Sequence, residues 1–290
     1  MLRALAMTIM FLFVEITALI LFCLGLVQSA RKGPGRFLEF FMIFIYGLLL
    51  ETLDMRIFKT YHYGPEFRIW LGHVPVAIAW LWAMILSSSM AISDSWGLSA
   101  AIRPFADALL AVLIDLSIDA IAIRVGFWGW TIPLTEGWFG VPAGNLYAWM
   151  WVAFFYSFWA RAVRLREDRN KTWRWAYLIL PFLSYAGLFL AMVSLGWIGK
   201  VLGFTSHSQR LWIFWAQFLI FAAVVAAGFA FKTKSDEKIA PIWFWGRLAV
   251  QVYFLFAFFY FGMFRAIPIL GVIAILLLAG EFAFKHLSCK

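Results

Sequence analysis

Charged residues are scarce in this chain. Only 13% of its 290 residues are Asp, Glu, Lys or Arg, whereas 64% are hydrophobic. A soluble domain of this length needs far more polar surface, so the soluble globular class is excluded. The apolar residues form long unbroken runs instead of alternating with polar ones, which excludes a membrane β-barrel as well. The sequence therefore predicts an all-α, polytopic bundle of transmembrane helices.

Cysteine is nearly absent, and the common cofactor motifs are missing. Cys23 and Cys289 lie at opposite ends of the sequence, so we expect neither a disulfide framework nor a cysteine metal site. The chain has no phosphate-binding glycine loop, no dinucleotide fingerprint and no Ser-His-Asp order. No metal-ligand spacing is present either. We therefore expect no cofactor and no metal.

Nine apolar runs are each close to the ~20 residues that a membrane-spanning helix needs. They cover residues 4–28, 37–56, 70–92, 105–127, 145–163, 174–195, 210–231, 242–261 and 266–284. The last two are separated by only a short turn, so eight to nine spans are expected. Glu15 within the first run favours a retained span over a cleaved signal peptide. No connection is long enough to separate domains, which predicts one integral membrane domain over residues 1–290.

The net charge of +9 is concentrated in alternate connections between the spans. These connections include RKGPGR after the first run and RAVRLREDRNKTWR after the fifth. The positive-inside rule places them in the cytoplasm, with the N-terminus outside and the C-terminus in the cytoplasm. The expected location is the inner membrane of a prokaryotic cell. Because such charge is an ordinary topogenic signal, the expected partner is the lipid bilayer and not nucleic acid.

Two of the predicted spans each carry a pair of carboxylic acids in the outer half of the bundle. The stretch LIDLSIDAIAI (113–123) places Asp115 and Asp119 on one helix face. A charged side chain at mid-bilayer costs about 2.5–3.5 kcal/mol on insertion scales, so intramembrane acids indicate a site. Span two carries Glu51 and Asp54 near its outer end. The alternation of spans therefore predicts that all four carboxyls converge in the outer half of the bundle.

Other polar residues are expected at the same end, with His73 at the start of span three and Asn145 at the start of span five. Two neighbouring acids in a low dielectric cannot both ionise cheaply, so one stays protonated beside a charged base. Such a pair can deliver a proton and take one back. The alternative is an interhelical clamp, in which the acids pair with Arg124, Arg56 or backbone groups.

Two segments carry a family resemblance. YHYGPEFRIWLGHVPVAIAWLWAM (61–84) resembles the Tyr-Gly-Pro segment and the proline- and tryptophan-containing helix of CruF-type carotenoid hydratases. LIDLSIDAIAIRVGFWGWTIPLTEGWFGVPAGNLYAW (113–149) resembles that family's two aspartates, Gly-x-Trp-x-Trp, Gly-Val-Pro and asparagine. Glu51 matches an acidic residue of the preceding helix, and the resemblance covers about residues 45–155. The sequence departs from the family at Ala120, where a proline is expected, and at Arg124, a charge that could hold Asp119 ionised.

The resemblance implies a hydro-lyase that adds water to the terminal double bond of an acyclic carotenoid, giving a tertiary alcohol. Either Asp119 or Asp115 would donate the proton, with Glu51 and Asp54 sharing it. The expected substrate- and water-binding residues are His73, Asn145, Trp128, Trp130, Tyr63 and Trp80. Other enzymes of the carotenoid pathway are possible partners. Two alternatives are a proton-coupled transporter of a lipophilic solute, with the acids as a relay, and a polyene-binding subunit without activity.

Overall fold

The computed structural model describes residues 2–287 of the chain, with side chains from Met7 onward. Within that part, Cys23 is a free and exposed thiol, whereas Cys289 lies outside the described residues. The described chain is an all-α bundle, as predicted. Its long helices are α1 (Leu2–Arg31), α2 (Pro34–Ile57), α3 (Val76–Ser95), α4 (Arg103–Val125), α5 (Ala143–Glu167), α6 (Leu180–Val201), α7 (His207–Phe229), α8 (Pro241–Tyr260) and α9 (Pro268–Leu287).

Proline marks the start of several helices. Residues 34, 241 and 268 are the first residues of α2, α8 and α9, and Pro104 and Pro181 lie in the first turns of α4 and α6. Proline suits these positions because the first N–H groups of a helix have no partner within it. A 3₁₀ segment, Lys171–Ile179, leads into α6. The helix bounds lie within four residues of the predicted runs, except at the start of α3 and at α6, which begins and ends six residues later than the run 174–195.

Six of the nine helices in the described chain are long and apolar enough to cross a membrane, namely α1, α3, α6, α7, α8 and α9. The other three, α2, α4 and α5, have 24, 23 and 25 residues, which is long enough, but they carry the charged side chains. Helix α4 packs against α3, α5, α7, α8 and α9, so it lies in the middle of the bundle. The polar helices are therefore shielded by apolar neighbours.

The start of α3 differs from the prediction. Residues 70–75, assigned to span three, instead form a hairpin of β2 (Trp70–Leu71) and β3 (Val74–Pro75), and α3 begins only at Val76. The residue before a proline is driven to extended conformations, which opposes a helix through Pro75. Gly72 takes φ of +64° in the turn, where glycine is favoured. His73 therefore lies in an exposed hairpin turn rather than at a helix start.

A second small sheet covers the end of the bundle where α2 and α4 finish and α3 and α5 begin, which we call the lid end. Strand β1 (Tyr61–Tyr63) pairs antiparallel with β4 (Trp128–Trp130), with Tyr61 opposite Trp130 and Tyr63 opposite Trp128. We call this pair of strands the lid. A Cβ at Gly64 would collide with the carbonyl oxygen of Gly126, so glycine permits the close approach beside the lid.

Most of the buried ion pairs lie at the opposite end of the bundle. Arg161 lies 3.1 Å from Asp94 and 3.0 Å from Asp107, and Arg164 bonds to both Asp94 and Glu39. These residues lie within about two turns of the C-terminal ends of α3 and α5 and of the N-terminal ends of α2 and α4. We call this set the ionic network. It compensates the charges of α2, α4 and α5 at the end of the bundle away from the lid.

Candidate active site

A cavity of about 360 Å³ lies beneath the lid. Its volume falls in the range of small-molecule pockets, about 300–1,000 Å³. Much of its wall is apolar, with Ile78 and Ile85 from α3 and Val250 and Phe254 from α8. The structure brings together in this wall the four predicted carboxyls and the predicted asparagine: Glu51, Asp54, Asp115, Asp119 and Asn145.

Glu51 accepts three hydrogen bonds from aromatic side chains. The hydroxyls of Tyr61 and Tyr63 donate to its Oε2 over 2.5 and 2.6 Å. The indole N–H of Trp82 donates to its Oε1 over 2.7 Å. The alternation of strand β1 directs both tyrosines of the lid to the same side, which explains why one oxygen receives both hydroxyls. The glutamate thus links α2, α3 and the lid.

Asp119 and Asp115 share one asparagine. The Nδ2 atom of Asn145 donates to Asp119 Oδ2 over 2.6 Å and to Asp115 Oδ2 over 3.0 Å. The other oxygen of Asp119, Oδ1, accepts a hydrogen bond from the indole N–H of Trp128. The indole N–H of Trp130 also donates to this oxygen, with 3.4 Å between Nε1 and Oδ1. One amide therefore holds the two acids together. The tryptophans of strand β4 thus donate hydrogen bonds to Asp119, and the tyrosines of strand β1 donate hydrogen bonds to Glu51.

The lid tyrosines keep their protons in this setting. Burial raises the pKa of the Tyr61 and Tyr63 hydroxyls well above the ordinary value, and the neighbouring Glu51 raises it further. Both side chains are therefore hydrogen-bond donors to the carboxyl. The fourth acid, Asp54, accepts a hydrogen bond of 3.1 Å from Tyr185 of α6.

Arginine does not clamp these acids. Arg124 directs its Nη1 to the carbonyl oxygens of Ala120 and Phe139, each at 2.7 Å, which caps the end of α4. Arg56 is exposed at the end of α2. Within the described chain, none of the four cavity carboxyls forms an ion pair with a lysine or arginine. The pairing of Arg124 with Asp119 considered above is therefore wrong.

Two predicted binding residues do not line the cavity. His73 faces a separate cleft beside the lid. Trp80 packs against Phe22 of α1, with ring centroids 6.1 Å apart, while Trp82 turns to Glu51. Residues two apart on a helix lie on roughly opposite faces, so only one of the two tryptophans can face the cavity. Trp128, Trp130 and Tyr63 do line it.

Several residues that line the cavity were not predicted from the sequence. Trp82 packs against Trp149, with ring centroids 4.2 Å apart, and both side chains line the cavity. His207 and Arg210, from the first turn of α7, also border the cavity. The Trp-x-Trp pattern at 80–82 offered a signal for a polar contact. Nothing local to the start of α7 indicated that it approaches the acids.

The geometry combines proton donors and acceptors with aromatic faces in an apolar enclosure. Carboxyls that are held only by neutral donors can keep or release a proton, whereas an arginine partner would fix the charge. Aromatic faces near them can stabilise a positive charge that develops on a ligand. The site is therefore suited to acid–base chemistry on an apolar molecule.

The model of the carotenoid biosynthesis protein family matches residues 6–207 of the chain, which is more than half of it. The match includes both lid strands and every cavity carboxyl. No curated protein and no solved structure matches the chain. The chain belongs to the carotenoid biosynthesis protein family, which indicates a role in carotenoid biosynthesis.

Proposed function

We propose that this protein is a carotenoid hydratase of the CruF type, acting as one integral membrane unit. It adds water to the terminal trisubstituted double bond of an acyclic carotenoid and gives a tertiary alcohol. The observation that carries the proposal is the set of four carboxyls, held by neutral donors, around one largely apolar cavity. Such acids can exchange protons with a bound alkene.

The reaction begins with a carboxyl of the Asp115–Asp119 pair. This acid gives its proton to the less substituted carbon of the double bond, and the neighbouring carbon becomes a tertiary cation. Water adds to the cation through its oxygen, and a carboxylate takes the proton that the water releases. Asn145 holds the two aspartates together through its hydrogen bonds to both. Glu51 accepts or returns the proton. No net proton is consumed, so the acids are regenerated at each turnover.

The cation forms near aromatic faces. Trp82 and Trp149 lie together beside Glu51, and Trp128 lies beside Asp119. The negative face of an indole ring attracts a nearby cation, and the attraction is stronger where water is excluded. The tryptophans thereby lower the energy of the intermediate relative to the neutral alkene.

The cavity holds one end of the polyene. A volume of about 360 Å³ is at the low end for small-molecule pockets and is too small for a whole long carotenoid. The apolar residues of α3 and α8 receive the terminal methyl groups, and the rest of the chain stays among the lipids. This arrangement also favours an enzyme over a transporter, because the cavity lining includes no residue of the ionic network at the other end.

Pigment analysis tests the proposal. Cells that make an acyclic carotenoid are compared with and without the wild-type protein, and with the double variant Asp115→Asn, Asp119→Asn. A tertiary carotenoid alcohol is expected with the wild type, but not without the protein or with the double variant. Asp107→Asn is the control, because it removes a buried aspartate of the same helix that belongs to the ionic network. An unchanged pigment profile with well-expressed wild-type protein would contradict the proposal.

A further inference from the structure

A second depression lies on the other side of the lid tyrosines. It is formed by the last turn of α2, strand β1 and the β2–β3 hairpin, and we call it the lid cleft. Tyr61 and Tyr63 border both the lid cleft and the cavity. The two rings are arranged edge to face, with centroids 5.7 Å apart. A single layer of two side chains therefore separates the two spaces.

The lid cleft is lined by exposed side chains and faces water. Its border includes four exposed basic side chains: Arg56, Lys59, His62 and His73. Within the described chain their side chains take part in no protein hydrogen bond or ion pair, so water satisfies their donors. Irregular loops of a membrane protein lie outside the hydrocarbon region unless protein covers them, which places this cleft at the aqueous surface.

A hydratase consumes one water at each turnover, and lipid does not supply it. The cavity walls formed by α3 and α8 are largely apolar, whereas the tyrosine layer is polar. A hydroxyl that donates to Glu51 can still accept a hydrogen bond from water. The two hydroxyls at 2.5 and 2.6 Å from Glu51 Oε2 thus form a direct polar connection between the cleft and this carboxyl.

We propose that the lid cleft is the water-binding site of this enzyme and that Tyr61 and Tyr63 are positioning residues that pass water from it to the carboxyls. The inference rests on the proposed hydratase function. The substrate end and the water would then reach the site from different sides, the polyene from the lipid and the water through the lid. Water access would be limited to the moment when the lid admits a molecule.

The test measures how the cation is consumed. Membranes containing the protein and an acyclic carotenoid are incubated in deuterated water, and two products are quantified. Captured cations become alcohol, whereas cations that lose a proton again return as unhydrated carotenoid carrying deuterium. Thr52→Phe fills the lid cleft without touching Glu51's hydrogen bonds. Tyr61→Phe and Tyr63→Phe remove one hydroxyl each.

We expect each tyrosine variant to lower alcohol formation by about tenfold, the effect of losing one hydrogen bond of ordinary strength, and we expect Thr52→Phe to lower it by filling the lid cleft. The ratio of deuterated carotenoid to alcohol should rise together with that loss. A purely structural defect would lower both products equally. Tyr147→Phe is the matched control, because it removes a buried hydroxyl that bonds Ser194 and does not border the cavity. Its ratio should equal that of the wild type.

Contrary results are distinct from a failure of the function itself. An unchanged ratio in Thr52→Phe and in both tyrosine variants overturns the water site. A higher ratio of deuterated carotenoid to alcohol in His207→Phe, with no change in Thr52→Phe, would place water entry at the start of α7. That result also overturns the proposed water site. Wild-type membranes that give neither alcohol nor deuterated carotenoid contradict the hydratase proposal, and this inference falls with it.

Discussion

Replacement of Asp119 by asparagine separates the acid role from packing. The side chain keeps its shape, but one carboxylate oxygen becomes an NH₂ group. In the wild type both oxygens accept hydrogen bonds, one from Trp128 and the other from Asn145 at 2.6 Å. The new NH₂ must therefore face another donor. Asn145 cannot simply flip its amide, because its oxygen would then face Asp115, which lies 3.0 Å away.

The stability cost follows from this conflict. One buried donor is left without an acceptor, which costs about 1–3 kcal/mol of the free energy of unfolding. The catalytic cost is separate and larger. Loss of a general acid lowers the rate by about 10²–10⁴-fold, so alcohol formation per folded molecule should fall by that factor. The first quantity is measured by thermal unfolding of the purified protein in detergent and the second by chromatography of the pigments.

Asp107→Asn is the matched control for Asp119→Asn. Asp107 is fully buried on the same helix but lies in the ionic network, 3.0 Å from Arg161. Breaking that buried pair should cost about 3–5 kcal/mol of stability. Its activity per folded molecule should nevertheless stay near that of the wild type. If Asp119→Asn hydrates substrate at the wild-type rate while Asp107→Asn does not, the assignment of roles to the two ends of the bundle is wrong.

Four further predictions follow from the same structure. Oxygen in the product alcohol should carry the label of isotopically enriched water under anaerobic conditions, and product labelled from dioxygen would refute hydration. Trp82→Phe should lower the rate of alcohol formation, because it leaves Glu51 Oε1 without its hydrogen-bond donor at 2.7 Å. Quantification of the product checks this prediction, and an unchanged rate would argue against a role for Glu51. Arg247→Leu should cost about 3–5 kcal/mol in thermal unfolding, because Glu281, bonded at 2.7 and 2.8 Å, would lose its partner. A cysteine placed within residues 161–174 should resist an impermeant reagent in intact cells if that loop is cytoplasmic, and labelling there would reverse the predicted sidedness.

The sequence was sufficient to predict the convergence of the acids, because that depends only on helix direction. Asp115 and Asp119 lie in the C-terminal half of α4, and Glu51 and Asp54 lie near the C-terminal end of α2, which runs in the same direction. Helix alternation then requires them to meet, whatever the exact bounds. The apolar runs marked the helices for an equally simple reason, since a spanning segment needs a minimum length of apolar sequence.

The lid was missed because its signal is short. Tyr-x-Tyr at 61–63 and Trp-x-Trp at 128–130 do alternate and are aromatic, as strands favour, but three residues are too few to indicate pairing. The strands are far apart in sequence, so only the tertiary fold shows that they are partners. The same limit applied to His207 and Arg210, whose approach to the cavity depends on how α7 packs against α4 and α5.

The way in which each buried acid is compensated distinguishes the two ends of this bundle. At one end, Glu39, Asp94 and Asp107 each contact an arginine. A guanidinium neighbour favours the charged carboxylate, and an ion pair of this kind suits a structural role. At the lid end, the partners of the carboxyls are tyrosine, tryptophan and asparagine, which stabilise the charge less and allow the proton to remain.

This difference also gives a reason for the lid. The carboxyls need neutral donors, and among the described residues the helices beneath the lid supply three: Trp82, Asn145 and Tyr185. The two strands add two hydroxyls and two indoles without bringing a positive charge into the cavity. A loop rich in lysine or arginine at this place would have ionised the acids and fixed them in that state. The aromatic lid therefore solvates the carboxyls while leaving them able to transfer a proton.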